Sequence, residues 1–180
     1  MGSEMCIRDS LYGTCKDSLR RISESWAEQN DLSLAWARLF CPFGAHEKEN
    51  RLIPKLIAKL QSADTIPFDS GNLVRDFLDV RELGSAFAAL FDSPVTGAIN
   101  LSSGEATSIR EIFITLAHAL GKEERIALDQ LPDPAGQVPR IVASVSRLHN
   151  EVGWQPQQSI TESLTAAADW WTNHSKAISQ

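Results

Sequence analysis

Three cysteines in 180 residues, Cys6, Cys15 and Cys41, are too few and too odd a number for a disulfide scaffold, and none forms a CxxC pair. A reducing compartment, the cytoplasm, is the default expectation. The four histidines are scattered, without the spacing of a metal site. Basic charge is in deficit, since 17 Lys and Arg against 23 Asp and Glu leave a formal net charge of −6. That balance argues against a nucleic-acid or anionic-membrane partner, which needs clustered surplus cations. No apolar run approaches the ~20 residues that cross a bilayer, so a soluble chain is expected. The N-terminus has no apolar secretion-signal core, and no internal repeat or low-complexity tract occurs. What remains, 43% hydrophobic and 22% charged, is the composition of one globular domain long enough to bury a core.

Hydrophobic periodicity organises the chain. Cys15, Leu19, Ile22 and Trp26 recur at helical spacing from Leu11 to Asn30, and Asn30-Asp31 supplies a stop. Leu34 to Phe40 is apolar on both faces, which predicts a strand covered on two sides as in parallel sheets. Arg38 interrupts it and needs a carboxylate partner or an exposed strand end. Past a polar loop containing His46, a second amphipathic helix is built on Leu52, Ile53, Leu56, Ile57 and Leu60, with Pro54 tolerable only in its first turn.

Ser70-Gly71-Asn72 is turn chemistry, Phe77 to Val80 a short strand, Arg81 to Phe91 a helix and Ala98 to Leu101 a buried strand. Two capping boxes, Ser108 to Glu111 and Ser159 to Glu162, open further helices, and Gly121 closes the first of them. A looser stretch with Pro132, Pro134 and Pro139 lies between, and Gly153-Trp154 reads as a turn with a buried indole. Strands alternating with helices make the fold α/β.

Residues 1–10 fit no periodic pattern. Met5-Cys6-Ile7-Arg8-Asp9-Ser10 resembles the translated read-through of a transposase sequencing adapter. We therefore expect 1–10 to be a non-native leader, with native sequence beginning near Leu11.

The only tyrosine lies in Tyr12-Gly13-Thr14-Cys15-Lys16. Residues i and i+4 share a helix face, so the Lys16 ammonium can lie near the Tyr12 phenol. A nearby cation favours phenolate over phenol, and phenolate is a usable base toward a sugar hydroxyl. The blocks that follow are Arg38-Leu39-Phe40-Cys41-Pro42-Phe43-Gly44, Arg51-Leu52-Ile53-Pro54, Arg75-Asp76-Phe77-Leu78-Asp79-Val80, Asn100-Leu101-Ser102-Ser103-Gly104 and Gly153-Trp154-Gln155-Pro156. Their order resembles one family from about Leu11 to Trp171. It is the extended short-chain dehydrogenase/reductases, the NAD-dependent epimerase/dehydratases acting on nucleotide sugars.

The resemblance implies a hydride transfer at a hexose carbon. Tyr12 would be the acid/base, and Lys16 would hold the nicotinamide ribose of NAD or NADP while tuning Tyr12. Phe40 and Pro42 match positions beside the nicotinamide, although a core role is the default for Phe40. Cys41 stands where many members carry a substrate-contacting Asn, and Phe43 where many carry Tyr. Arg51 and Leu52 match a helix start that meets nucleotide phosphates, which suits the N–H groups there. Phe68 matches an apolar position against the base, although a core role is its default. Arg75 matches a guanidinium that clamps a diphosphate; an ion pair with Asp76 is its bland alternative. No metal ligand is implied.

No G-x-G-x-x-G or G-x-x-G-x-x-G occurs, and that turn is where the family's dinucleotide pyrophosphate binds. The chain thus corresponds to the family from the catalytic helix onward. We expect 11–180 to be the C-terminal part of a Rossmann-like doubly wound parallel sheet, intertwined with the small α/β substrate-binding domain. An unpaired sheet edge and uncovered apolar helix faces should follow. The intact protein would be a homodimer through the first helix, and the isolated chain should have no NAD affinity and no turnover. The rival reading is a non-catalytic nucleotide-sugar-binding module or an inactive truncated product.

Overall fold

The computed structural model describes residues 11–62, 64–132 and 135–178, so the expected leader at 1–10 and Pro134 lie outside the described residues. Helix α1, Leu11–Gln29, forms as its spacing predicts. Arg20 lies between Asp17 (2.9 Å) and Glu24 (2.6 Å), and Arg21 reaches Asp17 (3.0 Å), so ion pairs one turn apart support the polar side. Asp31 enters the left-handed region (φ 52°) while the Leu32 N–H bonds the Ala27 carbonyl, which ends the helix.

Strand β1 (Ala35–Leu39) is followed by β2 (Cys41–Phe43), with Phe40 between them. Helix α2 (Leu52–Ser62) comes next, then β3 (Ile66–Pro67), β4 (Val74–Arg75), β5 (Phe77–Asp79) and α3 (Val80–Phe91). After β6 (Gly97–Leu101) and β7 (Thr107–Ser108) come α4 (Ile109–Leu120), β8 (Ile126–Ala127), β9 (Arg140–Ile141) and α5 (Ile160–Ile178). β1 runs parallel to β6, with Ala35 opposite Gly97 and Leu39 opposite Leu101. β2 runs parallel to β5, and β3 to β8. β4 sits between antiparallel β7 and parallel β9. The architecture is α/β with mainly parallel strands.

Local chemistry explains the helix ends. The Arg51 carbonyl accepts from the Lys55 N–H, so Arg51 caps α2 and buried Pro54 stands in the first turn, where its missing N–H costs nothing. Ser108 Oγ accepts from the Glu111 N–H (3.1 Å) while Glu111 Oε2 takes the Ser108 N–H (2.7 Å), completing the expected capping box. Ser159 and Glu162 repeat it on α5. Gly121 closes α4 at φ 62°.

Apolar faces converge on two cores. α2, α4 and α5 pack Ile57, Leu60, Phe113, Leu116 and Leu164 around Phe43 and Phe77. α3 and β6 pack Leu83, Ala86, Ile99 and Leu101 with Leu148 and Trp154. Trp154 is the buried indole expected there; its Nε1 donates to Ser85 Oγ, and Gly153 (φ 77°) ends a π-turn over Leu148–Val152.

Two expectations need correcting, those for β1 and His46, while the expected uncovered apolar helix face is present on α1. β1 is half-exposed rather than covered on both faces, because α1 and β1 stand apart across a cleft. α1 contributes no residue to either core and buries only Gly13 and Ala27, leaving Ile22 66% and Trp26 59% exposed. His46 is exposed, yet its ring packs 4.7 Å from that of Trp170, so it is a packed side chain rather than a purely solvated one. Among the described residues, no helix is long and apolar enough to cross a membrane.

Candidate active site

Two clefts meet on one side of the molecule. The first, about 560 Å³, opens between α1 and β1 and is lined by Tyr12, Lys16, Trp36, Arg38 and Phe40. The second, about 490 Å³, lies beside the start of α2, with Pro42, Glu47, Arg51, Leu52, Phe68 and Gln137 in its walls. Cys41 and Arg75 line both. The fold thus places Tyr12, Lys16, Phe40, Pro42, Cys41, Arg51, Leu52, Phe68 and Arg75 in the walls of two clefts that share Cys41 and Arg75. Pro42 alone changes sides, since it faces the cleft of Arg51 and Phe68 rather than that of Tyr12.

Tyr12 is 73% exposed at the first turn of α1, and the Lys16 Nζ lies 5.6 Å from its ring centroid. The helix spacing therefore brings the two groups together at a cleft mouth, with the ring free of aliphatic burial. Lys16, Arg38 and Arg75 have no carboxylate partner among the described residues, whereas Arg20 is held by Asp17 and Glu24. Bonding to Arg20 holds the Asp17 carboxyl below its ordinary value. The clefts therefore carry cations free to meet an anion.

Arg75 and Asp76 do not pair. The Arg75 guanidinium donates to the Val74 carbonyl (2.8 Å) and reaches Gln137 Oε1 (3.5 Å). Asp76 is fully buried and bonded elsewhere, so the ion-pair alternative is set aside. Arg51 is engaged by Glu47 at 3.3 Å. Burial raises the Glu47 carboxyl above the ordinary carboxylate value, against the opposing pull of Arg51. Desolvation likewise pushes the Cys41 thiol up, so Cys41 meets a ligand as a neutral, small apolar group.

Phe68 takes its expected core role and also borders a cleft. One side packs on Phe113 with ring centroids 4.6 Å apart, and the side chain also lines the second cleft. Its neighbour Asp69 turns the chain, accepting from the Gly71 N–H (2.8 Å). Sequence reasoning overlooked Trp36, Glu47, Gln137 and the wall position of Arg38. The charge inside an apolar strand was the one available signal, and it marked Arg38.

Residues 3–102 match the NAD dependent epimerase/dehydratase family. The chain belongs to that family. The matched span begins inside the stretch read as a leader. GDP-6-deoxy-D-mannose reductase of Pseudomonas aeruginosa is 28% identical over 167 residues, covering 89% of this chain and 55% of the relative. UDP-glucose 4-epimerase of Neisseria meningitidis serogroup B is 28% identical over 188 residues, covering 92% and 55%. The structure of RMD from Pseudomonas aeruginosa complexed with NADPH superposes with a TM-score of 0.79 at 28% identity, over 91% of this chain and 56% of that one. The chain spans about half the length of the curated relatives it matches.

Proposed function

We propose that this member of the family serves an NAD(P)-dependent enzyme that oxidises or reduces a hexose carbon of a nucleotide sugar. The observation that carries the reading is the junction of the two clefts. A lone phenol with an ammonium one turn away faces one of them, and Arg75, without a carboxylate partner among the described residues, faces both.

A nicotinamide and its ribose suit the first cleft, where Trp36 and Phe40 offer flat apolar surface and Lys16 a donor for hydroxyls. Bound there, that group supplies the hydride acceptor or donor. Tyr12, as phenolate, takes the proton of the sugar hydroxyl as its carbon becomes a ketone, and as phenol it returns a proton in the reverse direction. Lys16 provides positive charge beside the Tyr12 ring. In the second cleft Phe68 backs the nucleobase, Arg75 forks onto the diphosphate and Arg51 reinforces it from the cap of α2. Cys41 and Phe43 replace the polar side chains of many members, which leaves the sugar fewer fixed hydrogen bonds in this chain.

A second reading is a nucleotide-sugar-binding module without turnover. It is favoured by the second cleft, where Arg51, Phe68 and Arg75 come together in a chain without a glycine-rich turn. Calorimetric titration with UDP-, dTDP-, GDP- and CDP-sugars tests the shared part, and saturable binding of none of them refutes both readings. Joining the chain to a glycine-rich cofactor-binding half separates the two. Turnover that Tyr12→Phe abolishes with near-normal sugar-nucleotide binding supports the enzyme, while full activity of that variant removes Tyr12 from the chemistry.

A further inference from the structure

Asp76 has 0% exposure, and the adjacent cation, Arg75, is not its partner. A carboxylate taken out of water persists where donors replace its hydration. Four do so. The Ser103 N–H (3.0 Å) and hydroxyl (2.5 Å) donate to Oδ1, and the N–H groups of Gly104 (3.0 Å) and Ala143 (3.1 Å) donate to Oδ2. The Asp76 main-chain carbonyl accepts the Cys41 N–H (3.1 Å). One residue thus ties the start of β2, the loop after β6 and the segment after β9 to the link between β4 and β5.

The two residues beside this knot, Arg75 in sequence and Cys41 through the carbonyl, are the two that line both clefts. Main-chain amides and a hydroxyl fill the hydrogen-bonding sites of Asp76, so the Arg75 fork is turned to other partners. We infer that Asp76 is a positioning residue, whose carboxylate, gripped by Ser103, Gly104 and Ala143, sets Arg75 at the cleft junction with its charge reserved for a diphosphate. The inference rests on the reading of Arg75 as a diphosphate ligand. An amide cannot substitute, because Asp76→Asn would turn an NH2 group against N–H donors.

The experiment compares UDP, dTDP and GDP with their monophosphates by calorimetry on the whole chain and on Arg75→Gln, Asp76→Asn and the double variant. Arg75→Gln should weaken diphosphate binding by about tenfold or more and monophosphate binding less. Asp76→Asn should cut the preference for diphosphate by about threefold to tenfold, and the double variant should bind no worse than Arg75→Gln, the signature of coupled groups. Asp79→Asn, which unsettles another buried acid, the one that caps α3 and pairs with Arg81, should lower stability and leave the preference intact. If Asp76→Asn fails to fold, Ser103→Ala, which removes one of the four donors, should shift the preference in the same direction by about twofold. An unchanged preference in Asp76→Asn, or in Ser103→Ala where that variant stands in, or strictly additive losses, overturns the inference alone. A chain that binds no diphosphate, or an Arg75→Gln variant with unchanged preference, overturns the Arg75 reading and the inference together.

Discussion

Replacing Phe68 by Leu separates a ring that only fills the core from one that also carries a nucleobase. The backbone around it is fixed independently of the side chain, since the Phe68 N–H bonds the Ala127 carbonyl (2.9 Å) and its own carbonyl accepts from Gln130 (2.9 Å). Leucine keeps much of the volume and loses the packing on fully buried Phe113 at 4.6 Å. An aromatic pair contributes about 0.5–1.5 kcal/mol beyond area burial, so urea unfolding should show a loss of that size. Stacking of a base on an aromatic ring is worth about 1–3 kcal/mol by alanine substitution. Leucine retains part of it, so the binding loss should be about 1 kcal/mol, or about fivefold in Kd. Titration with nucleoside diphosphates in buffer without denaturant, where the variant is still folded, reads the second quantity apart from the first. A variant that unfolds more readily yet binds every nucleoside diphosphate as before would confine Phe68 to the core and refute the base contact.

Arg75→Lys exchanges a planar fork for a point charge, and calorimetry should find diphosphate binding about tenfold weaker although the charge is kept. Ser108→Ala removes the Oγ side of the capping box on α4 and should cost about 1 kcal/mol in urea unfolding. That difference should narrow on acidification, because the Ser108 N–H and then its hydroxyl hold the Glu111 carboxyl below its ordinary value of 4.5. A depressed carboxyl contributes stability above pH 4.5 that is lost as pH falls through the folded value. Gly71→Ala should lower the melting temperature by an amount worth about 2 kcal/mol, because left-handed backbone disfavours a Cβ. Gly71 has φ +64°, and an added Cβ would lie 2.7 Å from the Arg110 main-chain nitrogen, which donates to the Gly71 carbonyl.

Long periodic elements were legible in the residues because burial imposes a repeat on them. α1 to α5 and the pair β1–β6 follow from apolar spacing, and the caps of α4 and α5 from four side chains. β3, β4, β7, β8 and β9 span two residues each, too short for any period, and exist because tertiary packing brings backbone ladders together. The site followed the same rule. Tyr12 and Lys16 are joined by one helix turn, which spacing predicts. The grip on Asp76 joins residues 27 and 67 positions away, and no local pattern encodes it. Arg75 beside Asp76 looked like a pair because sequence adjacency says nothing of the direction in which a buried carboxylate finds its donors.

The two clefts rest on unequal foundations. The second is walled in part by core side chains, Phe43, Ile53 and Phe77, with Phe68 packed against the same core. The first depends on α1, which adds nothing to either core and holds its place through Gly13, Ala27 and the cleft walls. Its ion pairs act within α1 rather than between α1 and the rest, so they do little to anchor it. We expect opening α1 to cost less than opening the second cleft, with Tyr12 and Lys16 leaving first. The apolar stripe of Leu19, Ile22 and Trp26 faces solvent on that same helix. Whatever orders α1 more firmly stabilises the phenol and ammonium together, while the surroundings of Phe68, packed against the core, stay nearly unchanged. On the proposed reading, the base-contacting residue therefore leans on packed core, and the residues proposed for proton transfer depend on how one weakly anchored helix is held.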